Sequence, residues 1–371
     1  MIEPQTLQQV DRTYVRWAGR EFSYFSGCDY FRLSSHAEVK SALIRGLKCH
    51  GLNVAASRMT TGNHPAYGTL EKELARFFKT EAALLVPSGY VTNLVAAQTL
   101  SGQFSHALID ELAHPSLHDA ANILQCPVLT FGHRSVPELT TAIARCGPGA
   151  KLILLTDGMF ARDGSVAPLR EYQKALPGDG VILVDDAHGA GVLGANGRGA
   201  LEHARANSRH VIHTITLSKA FGVYGGVILC STPLRKRILE RSRLFIGSTP
   251  LPLPLVEAGR QALKIIREGK SLRRRLNQHT RFVREALTKA GVSIPETPGP
   301  IIAFQPGNNR AAQALQRALR KARIYPPLVY YPGGPAAGYF RFVISSEHTR
   351  TQLDNLVAVL TSMAGQLRPL V

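Results

Sequence analysis

An α/β fold with a large, mostly parallel sheet and a smaller C-terminal α/β unit is predicted from three features of the sequence. Short apolar, β-rich runs alternate with amphipathic helical patterns through the middle of the chain. Each of these runs stops at Gly, Ser or Asp. After about Val256 the pattern changes to long basic helices. Strands alternating with helices imply a parallel sheet covered on both faces. A length of 371 residues leaves room for more than one domain. With 44% apolar and 19% charged residues, the composition excludes a disordered chain.

Residues 1–40 read as an N-terminal arm. Its start, MIEPQTLQQVDRTYVRW, scatters charge and lacks the apolar stretch of a secretory leader. A large domain is expected over 41–256. LEKELARFF (70–78) has helical spacing, and AALLVPSG (82–89) is the first β-rich run. The helical PELTTAIARC (137–146) leads to KLILLTDG (151–158), then GVILVDDA (180–187) and HVIHTITLS (210–218). Ligands of such sheets bind at the carboxyl ends of the strands, so the polar residues closing these runs are site candidates. The small domain, 257–371, holds basic helices and a Pro-rich link over 294–306. GYFRFVISS and a last helix, TQLDNLVAVLTSM, follow.

The net charge is +18, and residues 259–371 contribute +13 of it, with 18 Lys and Arg against 5 Asp and Glu. Such a balance fits a phosphate-rich partner or a solvated basic face. Arg273-Arg274-Arg275 continues into LNQHTRFVREAL as a charged helix face, and no nucleic-acid motif accompanies it. Cysteines 28, 49, 126, 146 and 230 form no C-x-x-C pair, so neither a disulfide framework nor a structural zinc site is indicated. No apolar run is long enough to span a bilayer. A cytoplasmic protein with no nucleic-acid partner is expected.

ILVDDAHGAGVLG (182–194) contains the G-x-G-x-x-G spacing of a dinucleotide fingerprint. Its context is wrong, because Asp185, Asp186, Ala187 and His188 separate the strand from the first glycine. The second element, TITLSKAFGVYGG (214–226), places Lys219 just after a β-rich run, behind Thr216 and Ser218 and ahead of Gly222, Gly225 and Gly226. A lysine in a glycine loop is by itself commonly a surface residue. Paired with Asp185 at the end of the preceding run, Lys219 has the chemistry pyridoxal phosphate requires. A carboxylate keeps the pyridine nitrogen protonated, and an amine forms the Schiff base. His114 and His118 stand four residues apart, but no acidic or cysteine partner is near in sequence, so a metal site is not indicated.

From about Asp29 to the C-terminal helix the chain resembles the α-oxoamine synthases, pyridoxal 5'-phosphate enzymes of fold type I (aspartate aminotransferase-like). The resemblance rests on nine landmarks in one order: DYFRLSSHAEV, TTGNHPAYGTLEKELARFF, SGYVTN, DELAHPSLHDA, DGMFARDGSVAPL, VDDAHGAGVLGANGRG, TLSKAFGVYGG, FIGSTPLPLP and FRFVISSEHT. It implies Lys219 as the Schiff-base lysine, Asp185 as the pyridinium partner, His188 at the phenolic oxygen and His114 stacked on the ring. The Gly89 and Tyr90 amides with Thr216 would hold the phosphate, and Ser88 and Ser218 would also contact the cofactor. Ser248 and Thr249 would reach it from the other subunit of a homodimer. Arg341 would grip the amino-acid carboxylate as a bidentate fork.

The implied reaction is a decarboxylative condensation of a small amino acid, L-alanine by preference, with an acyl thioester. Pimeloyl-CoA, or its acyl-carrier-protein form, is the preferred acyl donor. Acetyl transfer to glycine and a synthase of secondary metabolism are the alternatives within the family. An aminotransferase is disfavoured, because such relatives carry tyrosine where His188 stands and arginine where Val227 stands. The chain also departs from the family pattern. Ala161 replaces a serine, Tyr67 replaces a histidine, and the segment before DYF is short, which weakens any transfer of acyl specificity.

Overall fold

The computed structural model describes residues 6–330, 335 and 337–370. The chain divides into two compact units, one of His36–Ala161 and Val166–Gly269, the other of Met1–Ser35, Arg162–Ser165 and Lys270–Val371. The first is built on seven strands: β1 (Ala82–Val86), β2 (His106–Asp110), β3 (Val128–Phe131), β4 (Leu152–Asp157), β5 (Val181–Asp185), β6 (Val211–Thr216) and β7 (Gly226–Cys230). Their spatial order is β1-β7-β6-β5-β4-β2-β3. Only β7 runs against its neighbours, so the four runs expected as strands all point the same way. Every residue of β1, β4 and β7 is buried, as a sheet covered on both faces requires.

Helices α1 (Ala37–His50), α2 (Pro65–Phe78), α3 (Gly89–Leu100) and α4 (Pro115–Ile123) belong to this unit. α3 is apolar all round and embedded, with Val95, Ala96 and Ala97 fully buried. Its N-terminus, Gly89, follows the end of β1 after only Pro87 and Ser88, at the carboxyl edge of the sheet. Helix α5 (Leu253–Glu268) lies along α1, where a Cβ at Gly46 would come 2.8 Å from Pro254 Cα. This packing keeps α5 with the large sheet. The units therefore part after Gly269, while the sequence boundary at Val256 falls inside α5.

In the other unit, β8 (Ile301–Pro306) pairs antiparallel with β9 (Tyr339–Val343) in a four-stranded sheet. Helices α6 (Lys270–Lys289) and α7 (Arg350–Ser362) contribute Val283, Leu287, Leu353 and Leu356 to a core with Phe304, Phe340 and Phe342. The Pro-rich stretch read as a link thus ends in a strand. Ile301, Ile302 and Phe304 are buried there, and Pro306 takes the last position, where a missing N–H is tolerated. Arg273 is also buried, so the triple-arginine run is not wholly a solvated face. Strands Gln8–Gln9, Tyr14–Trp17 and Arg20–Ser23 form a three-stranded antiparallel sheet assigned to this unit, and α1 already begins at Ala37. Among the described residues no helix is long and apolar enough to cross a membrane.

Candidate active site

The residues that close the parallel strands converge. Gly89, Tyr90, His114, Asp185, His188, Thr216, Ser218 and Lys219 line one cavity of about 210 Å³, and Ser116, Asp157 and Ala187 complete its wall. Ser88 lies just behind it as the N-cap residue of α3.

One end of the cavity is the N-terminus of α3. The Ser88 side chain makes no capping bond, so the first-turn amides of α3 keep their N–H groups for a ligand. Gly89 is required by close approach, because a Cβ there would sit 2.7 Å from Thr216 Cβ. Thr216 Oγ1 donates to the Gly225 carbonyl (3.1 Å) and accepts from the Ser218 amide (3.1 Å), which fixes its rotamer beside the helix end.

Asp185, 6% exposed, forms the acidic wall. Its Oδ1 accepts from the Ala187 amide (3.0 Å) and its Oδ2 from Asn93 Nδ2 (2.6 Å). Ser116 Oγ stands 3.5 Å from the same Oδ2 and 2.7 Å from His114 Nδ1. His114 caps α4, its Nδ1 accepting from the Ser116 amide (3.2 Å), so its ring proton resides on Nε2. Burial lowers its pKa, with Lys219 and His118 adding to the effect and Asp185 opposing it, which leaves a neutral ring on the cavity wall. Tyr90 meets that ring edge-on, with centroids 6.0 Å apart.

Asp157, opposite Asp185 in the β4–β5 register, had no assigned role in the sequence reading. It accepts from the His114 amide (2.8 Å). Burial and then the Asp185 charge raise its pKa well above the carboxylate range, against the lowering effects of the His114 amide and Lys219. Asn93 was likewise missed, and its only signal was an amide, one of two with Gln98, inside a mostly apolar helix. Asp186 is a third omission. Its Oδ2 accepts from the Ala200 amide (2.7 Å) and pairs with His213 Nε2 (2.9 Å). A Cβ at Gly189 would approach Asp186 Oδ1 to 2.1 Å, and Gly191 adopts φ +84°. The G-x-G-x-x-G spacing therefore serves a tight loop around a buried carboxylate.

The other expected residues lie elsewhere. Ser248 donates to the Leu244 carbonyl and Thr249 is exposed; neither lines the cavity. Arg341, in the other unit, sits on β9 with Nη2 3.3 Å from Cys28 Sγ. Tyr67 is fully buried, donates to the Leu251 carbonyl (2.7 Å), and stacks under Arg58. Burial raises its pKa to about 12, opposed by Arg58. Ala161 does not line the cavity. Among the described residues no cluster of three or more His, Cys, Asp or Glu could hold a metal.

A helix N-terminus, a buried carboxylate, a flat neutral ring and a primary amine around one small cavity fit pyridoxal 5'-phosphate, and with this sheet order they define an enzyme of fold type I. Residues 29–360 match the aminotransferase class I and II family, and the chain belongs to that family, in its acyltransferase branch of α-oxoamine synthases. The 8-amino-7-oxononanoate synthase of Thioalkalivibrio sulfidiphilus is 34% identical over 94% of this chain and 90% of its own length. That of Acidithiobacillus ferrooxidans is 34% identical over 96% of this chain and 93% of its own. Among solved structures, the Sphingomonas wittichii serine palmitoyltransferase aligns with TM-score 0.90 and 25% identity, covering 96% of this chain and 90% of that one. The 8-amino-7-oxononanoate synthase of Francisella tularensis aligns with TM-score 0.80 and 26% identity, covering 92% and 97%.

Proposed function

We propose that this enzyme joins L-alanine to a pimeloyl thioester, releasing the thiol and carbon dioxide and forming 8-amino-7-oxononanoate, a step toward biotin. The observation that supports this most directly is the cavity in which Lys219, Asp185 and neutral His114 meet, in a chain one-third identical over nearly its full length to synthases of that name. The bound cofactor supplies an electrophilic carbon and an electron-withdrawing ring. The Gly89 and Tyr90 amides and the Ser218 hydroxyl would hold its phosphate, with Thr216 joining them if its hydroxyl turns from the Gly225 carbonyl. Asp185 would keep a proton at the ring nitrogen, His188 would donate to the ring oxygen, and His114 would cover the ring face.

Lys219 Nζ, as a free amine, would take the α-proton of the amino acid. Arg341 binds the substrate carboxylate. The basic surface attracts the phosphates of the thioester's carrier. The working protein is a cytoplasmic homodimer in which Ser248 and Thr249 complete the partner's phosphate site.

Alanine labelled in its carboxyl carbon, offered with a panel of acyl thioesters, tests this. Labelled carbon dioxide should appear only with a thioester present, in step with free thiol, and fastest with the pimeloyl chain. Faster turnover of glycine with acetyl-CoA would replace the substrate assignment. An oxo acid formed without thiol release would overturn the reaction class.

A further inference from the structure

Asn93 lies in the second turn of α3, fully buried, and it does not line the cavity. An unpaired amide there would be costly, so where its hydrogen bonds go is informative. One Nδ2 proton goes to Asp185 Oδ2 (2.6 Å), and the other to Ser116 Oγ (2.9 Å). Oδ1 accepts from Thr214 Oγ1 (2.7 Å), which also has the Val184 carbonyl within 3.2 Å, and the acceptor-only Asp185 carboxylate fixes which way the amide faces. Because Ser116 Oγ receives a proton from Asn93, its own proton is free for His114 Nδ1 at 2.7 Å, a better partner than Asp185 Oδ2 at 3.5 Å. One side chain thus sets the rotamer of the carboxylate and the direction of the serine hydroxyl, which adds a second donor to the His114 Nδ1 already held as an acceptor by the Ser116 amide.

We propose that Asn93 is a positioning residue for the cofactor, locking the Asp185 carboxylate and the His114 ring into one hydrogen-bonded unit through Ser116, with Thr214 as its anchor. The inference rests on the reading of Asp185 as the partner of the ring nitrogen. It assigns work to a residue that touches neither cofactor nor substrate. The supports come from three elements, α3, α4 and β6, so the orientation of the site is tied to the frame of the sheet rather than to the loops that carry the catalytic groups.

The test is cofactor affinity, measured by titrating pyridoxal phosphate into the cofactor-stripped full-length protein and following fluorescence and visible absorbance. Asn93→Leu keeps the volume and removes both donors, and its dissociation constant should rise roughly 10- to 100-fold, as for a lost hydrogen bond to a charged group. Asn93→Asp keeps the shape. It can donate only when its new carboxyl is protonated, so its affinity should recover toward the wild-type value as pH is lowered. A role in packing alone would show no such recovery.

Should Asn93→Leu fail to fold, Thr214→Val carries the test, with a loss of roughly 3- to 10-fold from an unanchored amide. The inference is overturned if the folded variants bind within twofold of wild type, or if the Asn93→Asp defect is independent of pH. Asp185→Asn separates the two layers. If it is impaired while Asn93→Leu is not, only the role of Asn93 falls. If Asp185→Asn binds and absorbs like wild type, the reading of Asp185 falls as well.

Discussion

Replacing Gly89 by alanine places one methyl group where the structure has no room for it. The new Cβ would lie 2.7 Å from Thr216 Cβ and 2.9 Å from its Oγ1, against an ordinary carbon–carbon contact of about 3.5–4.0 Å. Rotating Thr216 would move Oγ1 but not Cβ, and would cost its bonds to Gly225 O and from Ser218 N, about 1 kcal/mol each. Shifting the backbone of α3 or β6 instead costs about 1–3 kcal/mol as overpacking. Alanine recovers about 0.5–1 kcal/mol of helix propensity. The net is a destabilisation of up to about 2.5 kcal/mol, centred on the helix end expected to receive the phosphate. Gly68 is the control, because it lies within α2 with nothing within 4 Å of its Cβ position. Urea midpoints should fall for Gly89→Ala and hold or rise for Gly68→Ala. Pyridoxal phosphate titrations should show weakened binding only for Gly89→Ala. Unchanged affinity in a folded Gly89→Ala protein would refute the close approach and the placement of the phosphate at this helix end.

Lys219→Ala should abolish the visible absorbance of the holoenzyme while the far-UV spectrum is retained; borohydride reduction that marks a different lysine in peptide maps would contradict the assignment. Mixing Lys219→Ala with Thr249→Ala subunits should restore part of the activity in hybrid dimers, and confirmed subunit exchange without restoration would count against a shared site. Arg341→Ala should raise the KM for the amino acid far more than it changes the KM for the thioester. The affected term is the removal of a charged partner, about 2–5 kcal/mol, and equal effects on both substrates would argue against carboxylate binding. His348 gives a pH test: burial, with Arg32 adding to it, lowers its pKa from 6.5 to about 3. Below 6.5 the unfolded chain takes up a proton that the folded chain refuses. Its contribution is therefore complete above 6.5 and is lost as pH falls toward 3, at about 1.4 kcal/mol per unit. Urea midpoints at pH 4, 5, 6 and 7 should show this slope, and His348→Gln should flatten it.

The groups that make this site recognisable were legible because each sits in a short local pattern. Asp185 closes a run of five β-rich residues, Lys219 follows another, and Gly89 opens a helix directly after a third. Parallel strands with alternating helices must bring such ends to one edge, so the pattern alone gathers them. What the pattern omits depends on partners far apart in the chain. Asn93 meets Asp185 across 92 positions and Thr214 across 121, and nothing local to SGYVTN specifies either bond. Asp157 stands beside Asp185 only through the β4–β5 register.

β8 was hidden for the opposite reason. Its local signal was broken by prolines, and pairing with β9 overrode it. The boundary of the large unit depended on α5 burying a face against α1, which no break in composition marks. Local chemistry, in which a residue's type and its immediate neighbours suffice, was determined by sequence. Orientation, protonation and tautomer were decided by tertiary structure, because burial and the field of distant groups exist only once the chain has folded.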